Sequence, residues 1–119
     1  MVDTAETLRA RVVSWDVGFK PPMEAGWIAR VSKEVADAAA AGIDVLVFPE
    51  LFAAGLGPYA PKGERAAEFV TRRMNDAVLP AVKKAVAKRS MLVALGTYWH
   101  QEPGWKHAFN RAPVLLDGT

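Results

Sequence analysis

Apolar residues lie along this chain in two kinds of pattern: short blocks that alternate or run without gaps, and longer stretches that repeat every three or four positions. The first block, RARVVSWDV at 9–17, sets Val13, Trp15 and Val17 against Ser14 and Asp16, which is the period of a pleated strand. Gly18 and the pair Pro21-Pro22 break it. Over 23–41 the apolar residues Trp27, Val31, Val35 and Ala38 recur at helical spacing, with Arg30, Lys33, Glu34 and Asp37 between them. This predicts an amphipathic helix that Gly42 ends in a left-handed cap. The block at 43–48, IDVLVF, follows at once, and its near-continuous apolar run predicts burial on both faces, as in a parallel sheet. Strand, helix and strand together predict a βαβ unit with a right-handed crossover. Pro49 has no N–H for a ladder, so the second strand is expected to stop there.

Residues 53–63, AAGLGPYAPKG, read as a loop rich in Gly and Pro. A second helical region is expected over 64–89, with a stripe through Ala66, Phe69 or Val70, Met74, Ala77 or Val78, Ala81 or Val82, and Ala85 or Val86. Pro80 lies inside it, unable to donate to the Asp76 carbonyl and crowding it, so a kink or two abutting helices are expected near Leu79. The basic run KKAVAKR at its end suits the negative pole of the helix dipole. MLVALGTYW at 91–99 reads as a third strand, HQEPGWK as a connection, and 108–116 as a fourth strand antiparallel to the third. Asp117-Gly118 is a hairpin signal with no strand after it, so the chain is expected to be cut at a turn. The order is β-α-β-α-β-β, an α/β fold class.

Composition narrows the functional classes. A length of 119 residues supplies a single hydrophobic core, and 51% hydrophobic with 24% charged residues is the balance of a folded globular chain. A net charge of +2 gives no reason to invoke nucleic acid or a membrane surface. The N-terminus MVDTAETLRARVV is charged and lacks an apolar signal core, and no apolar run is long enough to span a bilayer, so a cytoplasmic location is expected. Cysteine is absent, which removes disulfides, thiolate metal sites and any cysteine nucleophile from this chain. The nine glycines form neither GxGxxG nor a Walker loop. The Lys-Lys and Lys-Arg pairs of the second helix read as a solvated face.

Glu50 is the sharpest chemical candidate. In open α/β sheets functional groups collect beyond the carboxyl ends of strands, where loops vary on a fixed base. A carboxylate there, shielded by Phe48, Leu51 and Phe52, would hold its proton more readily and suit a general base. The competing reading is a solvated loop acid, or one that caps a helical turn. Trp99, Trp105 and Phe109 are candidates for a pocket mouth, with core or interface packing as the plainer use. His100 and His107 flank a loop, and two histidines without further ligands make no zinc site, so no metal is expected.

The succession AAAAGIDVLVFPELF, a Gly/Pro/Tyr loop, a long helix, LVALGTYW and HAFNRAPVLLDG resembles the N-terminal part of the carbon-nitrogen hydrolase, or nitrilase, superfamily. The resemblance covers the chain from about residue 11 to 119, and its most specific pieces are FPELF, where the family carries its catalytic glutamate, and FNRAPVLLDG. It implies a partial nitrilase-like αββα sandwich over 1–119, with Glu50 as base in a Glu-Lys-Cys mechanism on non-peptide amide, nitrile or carbamoyl bonds. It further implies no cofactor, a small amide or nitrile as substrate, Tyr59 near that substrate, with a turn aromatic packing on the helix behind it as the plainer reading, and Asn110 in a structural role tying strand to loop. The family's lysine and cysteine have no counterpart here: Lys62, Lys83, Lys84, Lys88 and Lys106 do not align, and there is no cysteine. The chain is therefore expected to be inactive alone, and its half-built sheet, with uncovered apolar faces and a strand edge, is expected to drive association, either as a homo-oligomer or with the missing half. The alternatives are a non-catalytic α/β binding or assembly module, and a flavodoxin-like ligand binder, which a parallel order for all four strands would support.

Overall fold

The computed structural model describes residues 7–16, 18–87 and 89–117. Strands β1 (Ala10–Val12), β2 (Val45–Val47) and β3 (Leu92–Ala94) run parallel, and β6 (Val114–Leu116) joins β3 antiparallel, giving the order β1-β2-β3-β6. With β6 antiparallel, the all-parallel order that would support the flavodoxin-like alternative is not found. A second, two-stranded sheet holds β4 (Tyr98–His100) and β5 (Phe109–Arg111), also antiparallel. The chain is thus of the α/β class.

Helix α1 (Glu24–Ala40) buries Trp27, Val31, Val35, Ala38 and Ala39. Its exposed side carries the pairs Arg30–Glu34 and Lys33–Asp37 at 3.1 and 2.6 Å, each four residues apart and so neighbours on the helix surface. Gly42 ends it with φ of +75°, the left-handed cap expected, and the Ile43 N–H reaches back to the Ala38 carbonyl at 3.0 Å, which makes the closure a Schellman motif.

The second helical region divides around its proline. Helix α2 (Ala66–Arg73) passes into a π-turn at Met74–Val78, where the Leu79 N–H bonds the Met74 carbonyl, and α3 (Leu79–Val86) follows. The expected break near Leu79 takes this form because a widened turn accommodates the missing N–H of Pro80 while keeping Val70, Met74, Val78, Val82 and Val86 in one buried row. The loop expected at 53–63 is largely a 3-10 helix, Phe52–Tyr59.

Two expected strands are each split. Residues 91–99 form β3 and β4, parted at Gly96, whose φ is +62° and where a Cβ would lie 2.0 Å from the Pro49 carbonyl oxygen. Residues 108–116 form β5 and β6, parted at Ala112-Pro113 because proline cannot serve a continuous ladder. One predicted hairpin therefore spans two sheets. The first strand is shorter than 9–17, although the Val13 N–H still bonds Val47 O at 2.8 Å; Val17, Lys88 and the Gly118 half of the turn signal lie outside the described residues. Asp117 has φ of +54°, and its carboxylate accepts bonds from the Ser90 hydroxyl and the Met91 N–H.

The core lies on one side of the four-stranded sheet. Register places Arg11, Leu46, Val93 and Leu115 in one row, and the last three are buried with the apolar faces of α1 and α3. The rows pointing the other way are Ala10-Val45-Leu92-Leu116 and Val12-Val47-Ala94-Val114, entirely apolar and half-buried to exposed. The expectation that β2 is buried on both faces holds for one face only.

Candidate functional site

Phe48 gives the last ladder bond of the second strand, its N–H to Ala94 O at 2.8 Å, and Pro49 then ends the pairing as predicted. Glu50 follows on a turn at the carboxyl edge of β2, the strand between β1 and β3. Leu51 adopts a left-handed conformation, φ 56° and ψ 18°, which a branched side chain adopts at a cost and which swings the chain out of strand direction. Its N–H is received by Thr97 Oγ1 at 3.1 Å, and the Phe52 N–H bonds Pro49 O at 3.3 Å to open the 3-10 helix. Gly96 leaves room for the Pro49 carbonyl against the end of β3. The turn bearing Glu50 is thus held from the neighbouring strand by Gly96 and Thr97, two residues the sequence patterns did not single out.

The side chains around this turn are arranged differently from the expectation. Phe48 and Phe52 are buried, 4.8 Å apart between ring centroids, and belong to an aromatic cluster with Trp15 and Trp27. They turn inward, so they do not enclose the Glu50 carboxylate, which is exposed. Shielding of Glu50 by Phe48 and Phe52 is therefore corrected: both rings are taken up by core packing. As it stands, Glu50 is an exposed carboxylate on a turn tied to the segment after β3, able to accept a hydrogen bond from a ligand.

Tyr59 sits at the end of the 3-10 helix, half-buried against the core, with its hydroxyl donating to the Pro21 carbonyl. That bond ties the segment to the loop before α1, the structural use of a turn aromatic. Asn110 lies exposed in β5 opposite Trp99, and its side chain makes no hydrogen bond to another described residue. Trp99 does border a cavity of about 220 Å³, otherwise lined by Ala54, Gly57, Ala66, Ala67, Val70 and Tyr98, so its wall offers little to orient a polar ligand. Trp105 and Phe109 meet edge to face at 5.8 Å on the outside of the hairpin connection.

The histidines do not come together. His107 is exposed, whereas His100 is 3% exposed on the covered side of β4. His100 Nε2 lies 3.0 Å from Glu102 Oε1, and Nδ1 lies 2.9 Å from the Tyr98 hydroxyl and 3.4 Å from Arg111 Nη1. Placing the proton on Nε2 satisfies all of these, since Nδ1 then accepts from Tyr98 and, weakly, from Arg111. Burial raises the Tyr98 pKa above its ordinary value, partly offset by Arg111. The Gln101 N–H bonds Thr71 Oγ1 at 2.8 Å, fastening the same strand end to α2. This polar chain escaped the sequence reading, although Tyr98, His100 and Glu102 stand two apart, the spacing that puts strand residues on one face. Among the described residues no group of three or more His, Cys, Asp or Glu side chains is placed to hold a metal ion, and no helix is long and apolar enough to cross a membrane. Comparison of the chain with protein-family models, curated proteins and solved structures finds no match.

Proposed function

We propose that this chain is the N-terminal part of a carbon-nitrogen hydrolase domain acting on non-peptide amide, nitrile or carbamoyl bonds, with Glu50 as its general base. The observation that carries the reading is the position of Glu50 at the carboxyl edge of a central parallel strand, on a sheet covered by helices on one side and apolar and open on the other. A helix layer with one sheet is half of an αββα sandwich. In the complete site a second layer would enclose the now exposed carboxylate and exclude water from it. A cysteine thiolate would attack the carbon, Glu50 would take and return protons, and a lysine would stabilise the charge on the tetrahedral intermediate. Cysteine is absent from this chain, so it carries the base without the nucleophile and is inactive alone.

The test is a protein in which this segment is joined to its continuation, assayed for ammonia release from amides, nitriles and carbamoyl compounds. Turnover that Glu50→Gln abolishes while circular dichroism is unchanged supports the reading. Near-normal turnover in Glu50→Gln, or a continuation lacking a strand-end lysine and cysteine, overturns it.

A second reading, a non-catalytic α/β binding or assembly module, draws on the exposure of Glu50 and the engagement of the Tyr59 hydroxyl by Pro21. Absence of turnover in the joined protein, with the fold intact, favours it.

A further inference from the structure

Between the 3-10 helix, the start of α2 and β4 lies the cavity of about 220 Å³. Ala54, Gly57, Ala66 and Ala67 line it from the helical side with the smallest side chains there are, and Tyr98 and Trp99 line it from β4, with Val70 completing the wall. Val70 and Tyr98 are buried whereas Ala54, Ala66 and Trp99 are exposed, so the cavity has a closed floor and an open mouth. We propose that it is a binding site for a small uncharged molecule bearing one aromatic ring system.

The lining selects that class. No charged residue contributes to it, and polar groups of its walls are engaged elsewhere: the Tyr98 hydroxyl with His100 Nδ1 at 2.9 Å, the Ala67 carbonyl with the Thr71 hydroxyl at 2.8 Å, and the Gly57 carbonyl with the Ala60 N–H at 3.0 Å. A charged ligand would lose its hydration there and gain no partner. Aromatic walls favour a ring over an aliphatic chain, because ring pairs gain from edge-to-face and offset contacts beyond the area they bury. Size limits the occupant further. An apolar cavity of about 150 Å³ accepts benzene, so this one takes a ring with a few more heavy atoms and is too small for a partner's helix. The walls are tied in place by this chain alone. The 3-10 helix is held at its start by the Leu51 N–H to Thr97 Oγ1 and at its end by the Tyr59 hydroxyl to the Pro21 carbonyl, and the Gln101 N–H to Thr71 Oγ1 fastens β4 to α2. The Tyr98–His100–Glu102 chain thereby gains a use, fixing the Tyr98 ring as part of the floor. Walls ordered beforehand spare a ligand the cost of ordering them. The site stands or falls independently of the hydrolase reading.

Titration of the isotope-labelled chain with indole, followed by amide NMR, tests the proposal. Saturable shifts are expected at Ala54, Gly57, Ala67, Val70 and Trp99, with half-saturation at roughly 0.1–1 mM, the affinity of about nine well-placed heavy atoms. Benzoate, equal in heavy atoms but charged, binds at least ~10-fold more weakly. Ala66→Leu and Ala67→Leu each fill the cavity with a good helix former, so both keep their circular dichroism and raise the half-saturation at least ~10-fold. Lys33→Glu, on the exposed side of α1, leaves it in place. Shifts that do not saturate, a half-saturation that neither leucine variant moves, or benzoate bound as tightly as indole overturns the proposal. So do shifts at the same amides when the chain is diluted without indole, which would make the occupant a side chain of another copy.

Discussion

The two faces of the four-stranded sheet are built from the same short strands and nearly the same residue types, yet they live in different environments. Leu46 and Val93 are fully enclosed by α1 and α3, while Val45, Val47 and Leu92, their immediate chain neighbours, are half-buried and Val114 is exposed. The second sheet repeats the division on a smaller scale: Tyr98 and His100 are buried on one side of β4, and Trp99 between them is 57% exposed. Apolarity alone therefore does not establish burial. What establishes it is an element on the facing side, and on one face of each sheet that element is a helix of this chain.

The largest effect that separates the faces is a paired truncation. Leu46→Ala opens a cavity among fully packed side chains and is expected to cost about 3 kcal/mol in urea unfolding, whereas Val47→Ala, on the open face one residue away, costs less than about 1 kcal/mol. Equal costs would break the comparison and mean that the open face is covered in solution.

A somewhat smaller loss is expected at the point where the chain leaves the first sheet for the second. Gly96→Ala places a methyl group against the Pro49 carbonyl oxygen at a residue with positive φ, so about 2 kcal/mol is expected, together with faster amide exchange at Leu51 as its bond to Thr97 is displaced. Unchanged exchange would show that the Glu50 turn is held by something other than β3.

The smallest effect sharpens the comparison within β4. Burial raises the folded-state pKa of Tyr98, so its neutral form stabilises the fold below the ordinary tyrosine value near 10, and stability falls as pH rises through that value toward the folded pKa. Tyr98→Phe removes this component, and its stability profile is expected to be flatter than wild type between about pH 9 and 11. A profile as steep as wild type would assign the alkaline loss to other groups.

Helix α1 was legible in the sequence nearly to the residue, whereas the 3-10 helix at Phe52–Tyr59 read as a loop. Trp27, Val31, Val35 and Ala38 repeat at helical spacing, and Gly42 caps the helix they form, because both features are local. The proline at 80 foretold an interruption, but a π-turn just before it depends on keeping Met74 and Val78 in the core, which no local pattern expresses. The ends of the long strands were misread for the same reason: Gly96 bends the chain because the Pro49 carbonyl, far away in sequence, occupies the space of its side chain.

The candidate site divides in the same way. Pro49 fixes the end of β2, so the place of Glu50 at the strand's carboxyl edge follows from sequence. Its exposure does not, since Phe48 and Phe52 had two possible destinations and the aromatic cluster around Trp15 and Trp27 claimed them. The partner of the Tyr59 hydroxyl, a carbonyl in the loop before α1, is likewise distant in sequence and invisible to local pattern. The Tyr98–His100–Glu102 chain went unseen because spacing puts its members on one face without saying that Tyr98 and His100 are buried there.

By itself, then, the sequence determined the opening strand-helix-strand succession, the stripe α1 buries, the stop at Pro49 and the absence of a cysteine nucleophile, all properties of neighbouring residues or of composition. Tertiary structure decided which face of each sheet is covered, where long strands divide, and that Glu50 stands in solvent. These depend on contacts between residues far apart in the chain, where steric exclusion and competition for the same buried volume choose among arrangements that local periodicity leaves equivalent.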